Sequence, residues 1–150
     1  MEIDATWAVP IDLTPIGDGY RLDLDVIGDH PAVYLIARRH GDRSVPLYIG
    51  RTAKLQRRMR QHFDSLRFMR ALSDFPSGTR FLAWSTFRLK QGQRLKRVMG
   101  IVERGLILHA LSEGHQLINI QGTRTPVDTV NFTGNLAARN IFGMTVLVRK

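Results

Sequence analysis

The stretch Ala-Val-Tyr-Leu-Ile-Ala-Arg-Arg-His-Gly-Asp-Arg-Ser-Val-Pro-Leu-Tyr-Ile-Gly, residues 32–50, decides the fold of this chain. Residues 32–38 and 45–50 are rich in β-branched and aromatic side chains, and the polar residues between them include Gly41. This pattern predicts an antiparallel β-hairpin. Pairing about Gly41 would set Tyr34 opposite Tyr48 on one face of the sheet. Simple packing of two strand tyrosines is the ordinary alternative.

The rest of the first half adds a second hairpin and a helix. Residues 8–14 and 20–27 predict an N-terminal β-hairpin, because residues 21–26 alternate strictly between charged and apolar side chains. Thr52 is expected to cap a helix over residues 53–72. The apolar positions of that helix form a stripe at helical spacing: Leu55, Met59, Phe63 and Leu66.

The second half predicts a strand, a helix and a less regular end. Residues 80–89 have the composition of a strand, and residues 92–113 predict a helix that ends at Gly114. The expected buried face of that helix is Leu95, Met99, Val102, Leu106 and Ala110. From His115 we expect a short extended piece, a loop region rich in glycine and asparagine, and a terminal strand at 144–148. The expected fold class is α/β (α+β), a small, mainly antiparallel central sheet flanked by helices.

Length and composition indicate one domain, and the composition is compatible with a reducing compartment without requiring one. We divide the 150 residues into an acidic hairpin extension at 1–30, a core at 31–122 and a C-terminal loop and strand at 123–150. The absence of cysteine excludes disulfides and thiolate metal sites. No apolar run reaches the ~18–20 residues that span a bilayer, and the acidic N-terminus is unlike a signal peptide. We therefore expect a cytoplasmic protein that does not bind membranes.

Charge is spread unevenly along the chain and indicates a polyanionic partner. The net charge is +9, to which residues 1–30 contribute −6 and residues 31–150 contribute +15. A domain this basic attracts polyanions, of which nucleic acid is the commonest. A solvated basic surface without a specific partner is the alternative.

Three charged or titratable side chains are candidates for chemistry. Arg58 and His62 are four residues apart, so they project from one face of the first predicted helix. Glu103 borders the apolar stripe of the second helix, where a carboxylate needs a cation or a hydrogen-bond donor. Each has an ordinary alternative: Arg58 is one of many arginines, and a salt bridge to Arg104 or Lys96 would satisfy Glu103.

Taken in order, these residues resemble the signature of the GIY-YIG nucleases. Ala32-Val33-Tyr34 is similar to the first half of the motif, with alanine for glycine, and Tyr48-Ile49-Gly50 matches the second half letter for letter. The family also carries an arginine and a histidine ten and fourteen residues after the second tyrosine, a helical glutamate after the third strand, and a later asparagine. The matching residues are Arg58, His62, Glu103 and Asn119. The resemblance covers residues 31–122.

The resemblance implies an endonuclease that hydrolyses phosphodiester bonds in DNA with one divalent cation. Glu103 would bind Mg²⁺ or Mn²⁺. Tyr34 would be the general base, with Tyr48 supporting or sharing that role, and cationic Arg58 and His62 would favour its phenolate. Arg58 would also contact the phosphate, while His62 would alternatively orient Tyr48 or relay its proton.

Further positions would support the site or bind DNA. Gly50 and Asn119 would hold the walls of the active site. The expected contacts to DNA phosphates are Arg51, Lys54, Arg57, Arg60, Arg67 and Arg70. Sequence specificity would come from residues 123–140, from a homodimer or from a partner domain. The acidic extension would either flank the sheet or cover the basic surface as a lid.

Three other functions fit the same sequence. The first is a catalytically inactive nucleic-acid-binding or scaffold domain that keeps the fold. The second is a nuclease that acts on RNA or on single-stranded DNA. The third is a basic α/β domain whose likeness to the family is accidental.

Overall fold

The computed structural model describes residues 1–121, 127–131 and 145–149, and its architecture is mixed α/β around an antiparallel sheet. The described strands are β1 (Asp4–Trp7), β2 (Ile11–Asp12), β3 (Thr14–Ile16), β4 (Gly19–Arg21), β5 (Ala32–His40), β6 (Arg43–Thr52), β7 (Thr79–Arg88), β8 (Val127–Asn131) and β9 (Thr145–Arg149). The described α-helices are α1 (Leu55–Phe63), α2 (Leu66–Ser73), α3 (Leu95–Ser112) and α4 (Ile118–Gln121).

The main sheet has β5 and β7 at its centre. Its strand order is β1-β7-β5-β6, and β2 pairs with β7 beside β1, so β6 is an edge strand. Every pair in this sheet is antiparallel. The pairs β3–β4 and β8–β9 form separate two-stranded sheets. The predicted class, a mainly antiparallel sheet flanked by helices, is confirmed.

Helices pack on both faces of the main sheet. Side chains alternate along a strand, and Tyr34 of β5 belongs to the same buried cluster as Leu55 of α1. The next side chain, Leu35, points the other way and packs against a cluster that contains Ile49 of β6 and Ala110 of α3. Thus α1 covers one face of the sheet and α3 covers the other.

The central hairpin forms as predicted, but its register is different. The turn lies at Gly41-Asp42, and Gly41 has a φ of 62°, in the left-handed region that glycine adopts at little cost. Tyr34 pairs with Gly50, not with Tyr48. The predicted direct pairing of the two tyrosines is therefore wrong. They are diagonal neighbours on one face.

A β-bulge in the edge strand explains much of the shift. Ile36 pairs with Tyr48, whereas the next residue, Ala37, pairs with Pro46. Leu47 is therefore an extra residue of β6, and it is fully buried. Proline has no N–H to donate, so Pro46 is tolerated at a bulge on an edge strand. The bulge and the two-residue turn each move the pairing by one position.

The N-terminal segment is less regular than predicted and belongs to the main body. The hairpin consists only of β3 and β4, and the alternating stretch contains a 3₁₀ helix at Leu24–Val26. The Asp23 carboxylate accepts a hydrogen bond from the Asp25 amide at 3.0 Å, which competes with strand pairing. Leu22 and Ile27 are buried in the main core, and β1 and β2 extend the sheet. The segment flanks the sheet.

The first predicted helix begins later than expected and is capped from outside. The Thr52 hydroxyl accepts from the Lys54 amide, and the N-cap position, Lys54, makes no side-chain cap. Instead, the Asp29 carboxylate accepts from the Arg57 amide at 3.1 Å. The predicted Thr52 cap is wrong. The acidic segment supplies the missing acceptor at the positive end of α1.

The predicted helix over 53–72 is two helices. It breaks after Phe63, and the Ser65 hydroxyl caps α2 by accepting from the Phe68 amide at 3.2 Å. Because of the break, α2 is rotated relative to the predicted continuous helix, and Leu66 is 64% exposed. The apolar stripe was predicted wrongly at that position. The side chains of α2 that enter the core are Phe68, Met69 and Leu72.

The helix predicted over residues 92–113 forms as α3, but its buried face also includes Val98, which was not predicted. Met99 and Ala110 are buried, and Leu95, Val102 and Leu106 are half-buried. Gly114 has a φ of 82°, and the His115 amide donates to the Ala110 carbonyl at 3.0 Å. This hydrogen bond closes the helix in the manner of a Schellman motif. The predicted end at Gly114 is confirmed.

The last third departs further from the prediction. Helix α4 replaces the expected extended piece, and β8 lies inside the expected loop. The terminal strand is present as β9. Residues 123–126 and 132–140, part of the stretch expected to read DNA sequence, lie outside the described residues. Among the described helices, none is both long and apolar enough to span a bilayer.

Candidate functional site

Four of the expected residues meet beneath α1, and we call them the phenol cluster: Tyr34, Tyr48, Arg58 and His62. The Tyr34 hydroxyl lies 2.7 Å from His62 Nε2. Arg58 Nε donates to the same hydroxyl at 3.3 Å. The Tyr48 ring stacks on the Tyr34 ring, with centroids 5.9 Å apart and planes 17° apart. Residues from β5, β6 and α1 therefore form one contiguous group.

The imidazole of this cluster is held between aromatic rings. The His62 ring stacks on Phe68 of α2 at 4.2 Å and meets the edge of Tyr48 at 4.8 Å. His62 is 7% exposed. Its orientation is therefore set by packing as well as by its hydrogen bond to Tyr34. Phe68 was not identified from the sequence, and its only signal is its place on the buried face of α2.

Gly50 is the position that lets the two phenols come together. It pairs with Tyr34 across the strands, and the Tyr34 ring crosses over it. A β-carbon at this position would lie 2.8 Å from the Tyr34 hydroxyl and 2.9 Å from an edge carbon of Tyr48. Both contacts are closer than side-chain carbons approach in folded proteins. The glycine of the second half-motif is thus required by close packing.

Replacing Gly50 with alanine is expected to destabilise the fold by about 1–3 kcal/mol, because rigid buried rings must move. Urea unfolding followed by circular dichroism measures this change. Gly105→Ala is the matched control, because no described atom lies within 4 Å of a β-carbon there. We expect that helix substitution to stabilise by roughly 0.5–1 kcal/mol. A Gly50→Ala variant as stable as the wild type would contradict the close contact.

The protonation states in the cluster differ from those expected. Burial, followed by the charge of Arg58, lowers the pKa of His62 to about 3, so its imidazole is neutral at pH 7. The expectation of a cationic histidine beside the phenols is therefore wrong. Burial, followed by Tyr48, raises the pKa of Tyr34, and the hydrogen bond and charge of Arg58 offset only part of that rise. Tyr34 is a neutral phenol that is 0% exposed.

Two hydrogen bonds hold the Tyr34 hydroxyl in place. Arg58 can only donate, so the Tyr34 oxygen accepts from it, and the same hydroxyl shares a second hydrogen bond with His62 Nε2. Burial lowers the pKa of Arg58, but its hydrogen bonds to Tyr34 and Tyr48 outweigh burial and raise it. The guanidinium stays charged. Tyr48 is the partly exposed phenol.

The fifth expected residue, Glu103 on α3, contacts a different partner. Its carboxylate forms a salt bridge with Arg51 Nε at 3.0 Å. Burial raises the pKa of Glu103, and the charge and backbone of Arg51 partly offset that rise. The predicted alternatives, pairing with Arg104 or Lys96, are not observed among the described residues. Glu103 does not contact the phenol cluster directly.

Two adjacent residues of the edge strand β6 connect the phenol cluster to the Arg51–Glu103 salt bridge. Gly50 packs on the phenols, and Arg51, the next residue of β6, reaches Glu103. Successive side chains of a strand point to opposite faces, so the cluster and the salt bridge flank the free edge of the sheet. Asn119 of α4 also lies here, since its Nδ2 donates to the Ile49 carbonyl at 2.8 Å.

Glu103 is the residue to which the resemblance assigns the divalent cation. Among the described residues, no group of three histidine, cysteine or carboxylate side chains is arranged to hold a metal ion. Mg²⁺, however, keeps most of its waters and is commonly bound through one carboxylate and substrate phosphates. Glu103 is such a carboxylate, with its side chain 24% exposed. A cation there would compete with Arg51.

The surface around the phenol cluster is strongly cationic. Helices α1 and α2 contain five arginines and no carboxylate. All six side chains expected to contact phosphates are exposed: Arg51, Lys54, Arg57, Arg60, Arg67 and Arg70. Such a surface attracts a polyanion over several ångströms and loses that attraction as salt rises.

A glycine in the middle of α3 was not identified from the sequence. A β-carbon on Gly100 would lie 2.5 Å from Arg51 Nη1. The same Nη1 donates to the Lys96 carbonyl at 3.2 Å. Gly100 therefore makes room for the Arg51 guanidinium against the helix. A glycine inside a helical pattern was the available signal, because it costs helix stability unless a close approach requires it.

Comparison of this chain with protein-family models, with curated proteins and with solved structures gives no match. The likeness to GIY-YIG nucleases therefore depends on the motif residues and on the contacts among them.

Proposed function

We propose that this protein is a metal-dependent endonuclease of the GIY-YIG type that hydrolyses phosphodiester bonds in DNA. The proposal rests on the phenol cluster, in which a charged arginine adjoins two phenols and a neutral imidazole. Two members of the cluster lie on α1, and the helices α1 and α2 together contain five arginines and no carboxylate. Phosphodiester hydrolysis needs phosphate binding, charge neutralisation and an activated water, and these groups supply chemistry for each.

Arg58 is the residue that binds the reacting phosphate. Its guanidinium is partly exposed and charged, and its planar donors suit two phosphate oxygens at once. In the free protein it donates to Tyr34 and to Gln61 at 3.3 Å each. Both are long hydrogen bonds that a phosphate can replace. The same contact stabilises the negative charge that grows in the transition state.

Tyr48 is the phenol that contacts the attacking water. The role of general base was first expected for Tyr34. Tyr34 is fully buried and its pKa is raised by burial, so it acts as a positioning residue. It holds the ring of Tyr48 by stacking and fixes Arg58 by accepting its hydrogen bond. The neutral His62 shares a hydrogen bond with the Tyr34 hydroxyl and so holds that oxygen in place beside Arg58.

Glu103 is the residue that would hold Mg²⁺ or Mn²⁺ beside the edge strand. When bound, the cation supplies charge neutralisation at a phosphate oxygen. Glu103 is poised for this because burial disfavours its charge and only Arg51 offsets that cost. Arg51 must release the carboxylate, and a phosphate is the natural alternative partner for its guanidinium.

A catalytically inactive nucleic-acid-binding domain is the second candidate. The observations that favour it are the complete burial of Tyr34 and the salt bridge that occupies Glu103. Both candidate functions share the cationic surface, so a DNA-binding measurement alone does not separate them. A DNA-cleavage measurement does separate them.

The deciding experiment incubates the purified protein with supercoiled plasmid, in Mg²⁺, in Mn²⁺ or in EDTA. We expect conversion to nicked or linear DNA only with a divalent cation. Parallel digests of single-stranded DNA and RNA identify the preferred substrate. Cleavage that persists in EDTA would remove the metal from the proposal. Intact plasmid in every condition, at a protein concentration that binds the plasmid, would support the inactive domain.

A further inference from the structure

A second cationic site lies at the start of α3, outside the phenol cluster. A cavity of about 610 Å³ opens there between the loop before α3 and the edge strand. Its lining includes four basic side chains: Arg51, Arg94, Lys96 and Arg97. Neither Arg94 nor Arg97 was assigned a role from the sequence. We call this cavity the α3 cleft.

Three of the four cations of the α3 cleft have no carboxylate partner in the described part of the chain. The nearby carboxylates of Glu2 and Asp4 both pair with Lys90. Glu103 pairs with Arg51, and no described carboxylate pairs with the other three cations. Cations lining a common concave surface repel one another and together attract an anion.

Arg51 joins the α3 cleft to the candidate active site. It lines the cleft and also binds Glu103, while the preceding residue, Gly50, packs against the phenols. Its guanidinium is held against the α3 backbone by the Lys96 carbonyl. A strand bound in the cleft would therefore be led directly to the edge of the sheet where the proposed chemistry takes place.

We infer that the α3 cleft binds the phosphate backbone of the nucleic-acid strand, next to the phosphate that Arg58 holds. The inference deepens the proposed function and rests on it for the identity of the anion. Arg94 is the N-cap residue of α3 and Arg97 lies in the first turn of the helix, and both line the cleft. Together they would contact successive phosphates and hold the strand on the side opposite to α1 and α2.

The test measures binding of a fluorescently labelled 20-base-pair DNA duplex by anisotropy, in EDTA, at several salt concentrations. The variant is Arg94→Gln/Arg97→Gln. The matched control is Arg21→Gln/Arg43→Gln, which removes the same charge at two exposed arginines outside the cleft. We expect the cleft variant to bind at least 10-fold more weakly, and its slope of log affinity against log salt to fall by roughly 2. The control should stay within about threefold of wild type.

Equal losses in the two double variants would overturn the inference, because net charge would then account for them. Plasmid cleavage by the same proteins separates the two proposals. If the wild type cleaves plasmid and the cleft variant binds the duplex as tightly as the wild type, only the inference about the cleft is wrong. If duplex binding depends on the cleft but the wild type does not cleave plasmid, only the proposed nuclease activity is wrong.

Discussion

Replacing Arg58 with alanine is expected to slow plasmid cleavage at least ~100-fold while the protein stays folded. Its guanidinium is the charged group nearest the phenols, at 3.3 Å from the Tyr34 hydroxyl. Loss of one such stabiliser of a transition state typically costs about 3 kcal/mol, which corresponds to that factor. Initial rates of plasmid nicking in Mg²⁺, at saturating protein, measure the effect. The Tyr34–His62 hydrogen bond does not depend on Arg58, so the melting temperature should change little.

Arg60→Ala is the control for this prediction. Arg60 lies two residues further along α1, carries the same charge and is exposed. Its loss should change affinity modestly and the cleavage rate by no more than a few-fold. If the two variants lose cleavage equally, Arg58 acts only through general attraction of DNA. If Arg58→Ala cuts like the wild type, the phenol cluster is not the active site.

The second large effect concerns a buried arginine behind the site. Arg80 of β7 is 3% exposed and donates to four carbonyls at 2.8–3.0 Å. The acceptors are Leu72, Phe75, Pro76 and Gly78. Its guanidinium thus ends α2 and organises the loop that follows. Burial lowers the pKa of Arg80. Because α2 carries Phe68, this anchor also supports the ring that stacks on His62.

Arg80→Met is expected to reduce the free energy of unfolding by roughly 3 kcal/mol or more. Methionine fills similar space but leaves buried carbonyls without donors, and hydrogen bonds to charged groups are the stronger ones. For a chain of this size the melting temperature should fall by about 6–12 °C. Thermal unfolding and urea unfolding followed by circular dichroism measure both quantities.

Arg88→Met provides the comparison on the same strand. Arg88 is exposed at the other end of β7, so its replacement should change stability by less than about 0.5 kcal/mol. An Arg80→Met variant as stable as the wild type would mean that the cost of burying the charge equals the gain from its four hydrogen bonds. The assigned role of Arg80 as an anchor of α2 would then be wrong.

The strands that carry Tyr34 and Tyr48 could be predicted from local sequence, but the contact between the two rings could not. Their strands follow from composition, and the glycine between the strands identifies the turn. Their contact depends on the bulge at Leu47 and on the missing side chain of Gly50. A bulge depends on which residue the core accepts, and Leu47 is fully buried there. No local pattern in β6 predicts that choice.

The class of fold, the central hairpin, the long helix ending at Gly114 and the cationic character of the surface could all be predicted from the amino-acid sequence. These properties depend on composition, periodicity and turn chemistry, which act over a few residues. The strand register, the neutral state of His62, the pairing of Glu103 with Arg51 and the α3 cleft became visible only in the folded chain. Each of these depends on burial or on contact between residues far apart in the chain, because burial and neighbouring charges set both pKa and partner choice.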